Sequence, residues 1–116
     1  MLRKIYVSMF VLLFLFSTTV VFAADVKVGK YVAGDSRNDL DYDYWILLNS
    51  DHTASLNMPG GSANGTWRYD GYSKIYITIS AARGEMAHAR GLTLEFIQTC
   101  ATGTVLYGED DAWWLQ

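Results

Sequence analysis

Asp39, Asp41 and Asp43 occupy alternate positions of the chain, and that spacing puts three carboxylates on one face of an extended strand. Like charges so placed repel one another. A group of this kind either meets a cation or a basic partner, or marks a solvated strand entrance. The histidines are His52 and His88, in different loops. A small hydrolase built from Asp41, Asp43 and one of these histidines is the enzymatic reading. It lacks supporting motifs: there is no Gly-x-Ser-x-Gly elbow and no local Cys–His pair. Paired carboxylates for glycoside hydrolysis are present in number only.

Metal chemistry has equally thin support. Met86-Ala87-His88 offers soft donors that would suit copper, but a zinc or copper site needs three or four convergent ligands. Glu109-Asp110-Asp111 lacks the alternating spacing of a calcium loop and reads as a solvated acidic turn. No metal or cofactor is expected. Cys100 is the single cysteine, so the chain forms no internal disulfide. It ends the strand-like run Leu92–Cys100, where a free thiol is expected to be a small buried hydrophobe.

The aromatic residues are the remaining chemical asset. Trp113 and Trp114 are adjacent, so in a strand they point to opposite faces. One can enter the core while the other meets a ligand or partner. Tyr44 and Trp45 pose the same question. Exposed tryptophan and tyrosine are enriched at binding hot spots. The candidate binding residues are therefore Asp39, Asp41, Asp43, Trp45 and Trp114.

The chain opens with Met-Leu-Arg-Lys, an apolar run from Ile5 to Phe22, and Ala23-Ala24. A cationic start, a hydrophobic stretch and small residues at the cut are the pattern of a secretory signal peptide. Residues 1–23 are expected to be removed, leaving one domain over 24–116. No stop-transfer cluster follows the run, so stable membrane insertion after cleavage is not expected, and the protein is placed as secreted or periplasmic. Loss of Arg3 and Lys4 leaves twelve acidic against seven basic residues, a net charge of −5. That balance excludes nonspecific nucleic-acid binding, which needs a cationic face.

The elements that would position these residues follow a period of two almost throughout, broken by turn clusters. Val26–Val32 reads as a first strand, Gly34–Asp39 as a polar loop, and Tyr42–Asn49 as a dense strand apolar on both faces. Thr53–Met58 returns after the turn at Ser50-Asp51-His52. Pro59–Gly65 reads as a loop, Thr66–Asp70 as a short strand with Trp67 and Tyr69 inward, and Asp70-Gly71 as a hairpin signal. Ile75, Ile77 and Ile79 then alternate with Tyr76, Thr78 and Ser80. Ala81–Gly91 reads as a helical turn or exposed loop. Leu92, Leu94 and Phe96 resume the alternation, and two short segments, Thr104–Tyr107 and Ala112–Leu115, end the chain.

About seven or eight short strands joined by tight turns give an all-β fold of antiparallel neighbours. The expected architecture is a small antiparallel meander or up-and-down barrel, with a two-sheet sandwich as the alternative. Tyr44–Ala54 followed by Gly65-Thr66-Trp67-Arg68-Tyr69 resembles the lipocalin-like domains of small bacterial exported proteins. This chain has His52 where glycine is usual in the turn. The resemblance implies a β-barrel and carries no catalytic residue across.

The functional expectation is a non-enzymatic extracytoplasmic binding module for a protein partner or a small apolar ligand. An inhibitor or immunity-type protein of an envelope enzyme is a subclass of that reading.

Overall fold

The structure, a computed structural model, describes residues 26–98 and 104–116. The leader and Cys100 lie outside the described residues. Eight strands run in chain order: β1 Gly29–Ser36, β2 Asp39–Leu48, β3 Thr53–Met58, β4 Gly61–Tyr69, β5 Lys74–Gly84, β6 Thr93–Gln98, β7 Val105–Tyr107 and β8 Ala112–Leu115. Each pairs antiparallel with its neighbours in sequence, and β8 returns to β1, closing an up-and-down barrel. Closure selects the barrel over the sandwich. It also covers most of the edges that a sheet of such short strands would expose, leaving the first half of β6 unpaired toward β7 among the described residues.

Period two decides the inside. Ile46 and Leu48, Leu56, Trp67, the Ile75–Ile77–Ile79 series, Phe96 and Leu106 are all buried in one cluster. Trp113 packs against this cluster, its ring meeting Phe96 edge-on at 6.3 Å. An eight-stranded barrel has an interior just wide enough for side chains to fill, and these residues fill it.

Three segments differ from the sequence expectation. The first strand begins at Gly29 and runs to Ser36, and β2 starts at Asp39. The polar stretch Gly34–Asp39 is thus mostly strand, turned only at Arg37-Asn38, where Ser36 Oγ accepts the Asn38 N–H. Val28 is exposed, whereas Tyr31, Val32 and Ala33 are all buried. Successive burial means that β1 is covered on its outer face as well.

Pro59–Gly65 is not a loop: only Pro59-Gly60 turns, and β4 begins at Gly61. The glycines there serve close approach. A Cβ on Gly65 would fall 1.9 Å from the Thr78 carbonyl oxygen, at the point where the β4–β5 register shifts. Finally, β5 continues through Ala81–Gly84, and the helical character is confined to a 3₁₀ turn at Ala87–Ala89.

The turn before β3 explains His52. Its φ is 72°, the left-handed region that favours glycine. The ring stacks on Trp67 at 4.4 Å, and its Nδ1 lies 3.2 Å from the Trp67 carbonyl oxygen. The Trp67 backbone N–H donates to the His52 carbonyl, and its indole N–H donates to the Asn49 carbonyl. Stacking and hydrogen bonds offset the backbone strain, so His52 acts as a clasp on the core tryptophan.

Candidate functional site

The β1–β2 hairpin and the turn before β8 enclose a surface cleft of about 380 Å³. Asp35, Asp39, Asp41 and Asp111 line it, with Tyr44, Ala33 and Gly34. Three of the acids come from one hairpin. Asp111 arrives from the other end of the chain because β8 pairs with β1, Ala33 lying opposite Trp113. The cleft is an acidic basin on an aromatic and small-residue floor, and its field favours a cation.

A large bulge shapes it. The β1–β2 register passes from Val32↔Trp45 to Ala33↔Asp41, so Tyr42–Tyr44 have no partners on β1. This bulge separates the predicted carboxylates. Asp39 and Asp41 line the cleft, whereas Asp43 does not. The Asp43 N–H donates to Asp41 Oδ1 at 3.2 Å, and its carbonyl accepts from Asn57 Nδ2 at 3.0 Å. Strict alternation would have kept all three on one face; the extra residues of the bulge break it.

The two candidate tryptophans lie on the outside of the barrel. Trp114 is half-buried, and its indole N–H donates to the carbonyl of Gly34, a cleft residue, at 2.9 Å. The Arg37 guanidinium stands 5.3 Å from its ring centre. Trp45 is also half-buried, with the Lys30 ammonium 4.8 Å from its ring centre. Both rings therefore already carry a cation, worth roughly 0.5–1 kcal/mol at exposed sites. Trp114 borders the cleft; Trp45 is not among its lining residues.

The histidines do not join the carboxylates. His52 lies beyond the far end of β2 from Asp41, about 20 Å or more along the strand at ~3.3 Å per residue. His88 follows β5, which lies on the opposite side of the barrel from β1. Among the described residues, no group of three or more histidine, cysteine, aspartate or glutamate side chains could hold a metal ion.

Asp35 and Asp111 complete the cleft without having been singled out from the sequence, together with Tyr44, which the sequence raises beside Trp45 but does not carry into the candidate binding residues. Asp35 sat in an expected loop, and Asp111 read as part of a solvated turn. Asp35 and Tyr44 come from the one β1–β2 hairpin, and barrel closure adds Asp111. Comparison with protein-family models, curated proteins and solved structures finds no match for this chain.

Proposed function

We propose that this chain is an exported, non-enzymatic binding module of lipocalin-like architecture, and that it captures a protein partner through a basic side chain in the acidic cleft. The observation that carries this reading is the convergence of Asp35, Asp39, Asp41 and Asp111 around Tyr44. A lysine or arginine on a partner surface would meet several carboxylates and an aromatic ring in one recess. Opposite charge at a rim steers encounter and fixes orientation.

Two further observations favour a protein at the surface over an apolar ligand within. The barrel interior is occupied by its own side chains, including Trp67, Phe96 and three isoleucines. The outer face also carries Ser55, Asn57, Asn64, Arg68, Thr78, Arg83 and Glu95, in place of the apolar band of a membrane barrel. That surface suits the secreted or periplasmic location expected from the leader. An inhibitor or immunity-type role is the form of this reading in which the captured partner is an envelope enzyme.

The test is capture from an envelope extract with the exported protein as bait, beside an Asp39→Lys, Asp41→Lys double variant. The variant should keep its circular dichroism spectrum, lose the captured protein and slow its association. A folded double variant that retains every partner of the parent would remove the cleft from consideration.

A further inference from the structure

Barrel closure is uneven at β6. Toward β5 this strand is paired from Lys74↔Ile97 through Thr78↔Thr93. Toward β7 the described residues keep register only at Ile97↔Tyr107 and Gln98↔Leu106. Beyond Tyr107 the chain turns away, the Gly108 N–H donating to the Asp111 carbonyl at 2.8 Å. The first half of β6 is left with an open side.

Backbone alternation identifies the groups on that side. The Gln98 N–H donates to the Ser73 carbonyl, and the Leu92 carbonyl accepts from the Ile79 N–H. The even-numbered residues of β6 thus turn their backbone toward β5, and the odd-numbered ones toward β7. Ile97 is taken up by Tyr107. The N–H and C=O of Thr93 and Glu95 face the seam, with no backbone partner among the described residues.

The seam is a groove of about 450 Å³ lined by Leu94, Phe96, Ile97, Tyr107 and Glu109, among others. Ile97 and Tyr107 are 47% and 44% exposed, large apolar side chains directly opposite one another on its outer lip. Glu95 is held by Lys74 at 3.0 Å. Glu109, on the rim, has no ion-pair partner among the described residues, and Asp110 and Asp111 follow it.

We propose that the Thr93–Glu95 edge of β6 accepts an extended, lysine- or arginine-bearing segment of a partner protein as an added strand. Two residues with free donors and acceptors two positions apart are the unit that antiparallel strand addition uses. The apolar lip takes alternate side chains of the incoming segment, and the acidic rim selects its charge. A second copy of this chain fits less well, because edge-to-edge pairing would bring two acidic rims into one seam. This groove lies across the Gly108–Asp111 turn from the acidic cleft and is a separate surface.

The probe is a blocked heptapeptide of alternating lysine and valine, offered to the exported protein at physiological salt. It should bind and slow amide exchange at Thr93 and Glu95. The same peptide N-methylated at alternate residues should bind roughly tenfold more weakly or worse, since the bonds it can form are lost. Replacing lysine by glutamate should weaken it comparably. Glu95→Pro deletes a donor that faces the groove and leaves the β5 ladder intact, so it should weaken the lysine–valine peptide by a similar factor. Asp39→Lys with Asp41→Lys should leave affinity within about twofold at that ionic strength. Equal binding of the N-methylated peptide, or no protection at Thr93 and Glu95, overturns the proposal. So does a dimer in sedimentation that Glu95→Pro dissociates, which would make the occupant a second copy. If Glu95→Pro does not fold, the N-methylated peptide carries the same test.

Discussion

Trp45 on β2 and Trp114 on β8 stand on either side of the same residue. Val32 is paired with Trp45 across one ladder and with Trp114 across the other. Directly opposed residues of antiparallel strands share a face, and this is the outer one, since Tyr31 next to Val32 points into the core. Val32 is nevertheless fully buried, and it is not part of the interior cluster. Val105, opposite Trp114 on β7, is likewise buried. The barrel therefore carries a second, external apolar layer, in which the tryptophans flank two valines at the seam where the sheet closes.

That arrangement changes what Trp114 is expected to do. Its removal uncovers Val32 and Val105 and leaves the Gly34 carbonyl without the indole N–H. Trp114→Ala should cost about 2–3 kcal/mol, somewhat below the ~3–5 kcal/mol of a fully buried tryptophan. Trp114→Phe keeps most of the cover and should cost about 1 kcal/mol, the net value of one hydrogen bond. Urea unfolding followed by circular dichroism measures both. A Trp114→Ala variant as stable as the parent would show that the ring covers nothing and is free for a partner.

Trp67→Ala should be harsher, at about 3–5 kcal/mol. It empties the barrel interior and also releases the His52 ring and the Asn49 carbonyl. Because His52 holds a positive φ, His52→Gly relieves backbone strain while deleting the stack. It should therefore be milder than His52→Ala, which keeps the strain and loses the ring. Thermal melts of the three variants give the order; His52→Gly falling below His52→Ala would place the effect elsewhere.

Strong alternation made most of this barrel legible. Ile75, Ile77 and Ile79 declare one face at every second position, and the opposite directions of Trp113 and Trp114 follow from adjacency alone. The misreadings fall where short-range chemistry yields to tertiary demand. Gly61–Gly65 looks like a flexible loop by composition, yet Gly65 is there because the Thr78 carbonyl leaves no room for a side chain. Asp39, Asp41 and Asp43 look equivalent until a bulge, which composition does not mark, takes Asp43 away from the cleft. Asp111 joins that cleft only through the β8–β1 ladder, a contact between the two ends of the domain that no local pattern encodes.

Two exposed carboxylates set an acid limb of stability. Asp70 Oδ1 accepts the backbone N–H groups of Tyr72, Ser73 and Lys74, and Asp51 Oδ1 accepts from the Thr53 hydroxyl and N–H. The Lys74 and Tyr72 amides foremost hold the Asp70 carboxyl below its ordinary range, as the Thr53 hydroxyl does that of Asp51. A depressed folded-state value means stability that is present above about pH 4, the unfolded value. It is lost as the pH falls through the lower folded values. Asp70→Asn and Asp51→Asn should each flatten the urea-midpoint profile below pH 4 and leave its slope near pH 7 unchanged.

The alkaline limb has the opposite sign. Burial pushes the Tyr31 hydroxyl, which donates to the Lys27 carbonyl, up to about 12. The stability it contributes is complete below about pH 10, the unfolded value, and is lost as the pH rises toward the folded one. Tyr31→Phe should lower stability at neutral pH and remove part of the decline above pH 10. An unchanged alkaline slope in that variant would assign the decline to other groups.

Gln98 points into the barrel beside this core, 3% exposed, and neither its Oε1 nor its Nε2 has a hydrogen-bond partner among the described residues. Its neighbours on the inward face of β6 are Phe96 and Leu94, and Leu106 lies opposite it on β7. An amide desolvated without compensation costs about 1–3 kcal/mol. Methionine matches its length and flexibility with no polar atom to satisfy. Gln98→Met should therefore raise the urea midpoint, by on the order of 1 kcal/mol once imperfect packing is allowed for. Gln98→Glu supplies the contrast: a carboxyl of the same shape should be destabilising at pH 7, where burial opposes its charge, and recover in part as the pH falls. If Gln98→Met destabilises while Gln98→Glu is tolerated, the amide position is solvated in solution, and the interior of the barrel at the end of β6 is open to polar contacts.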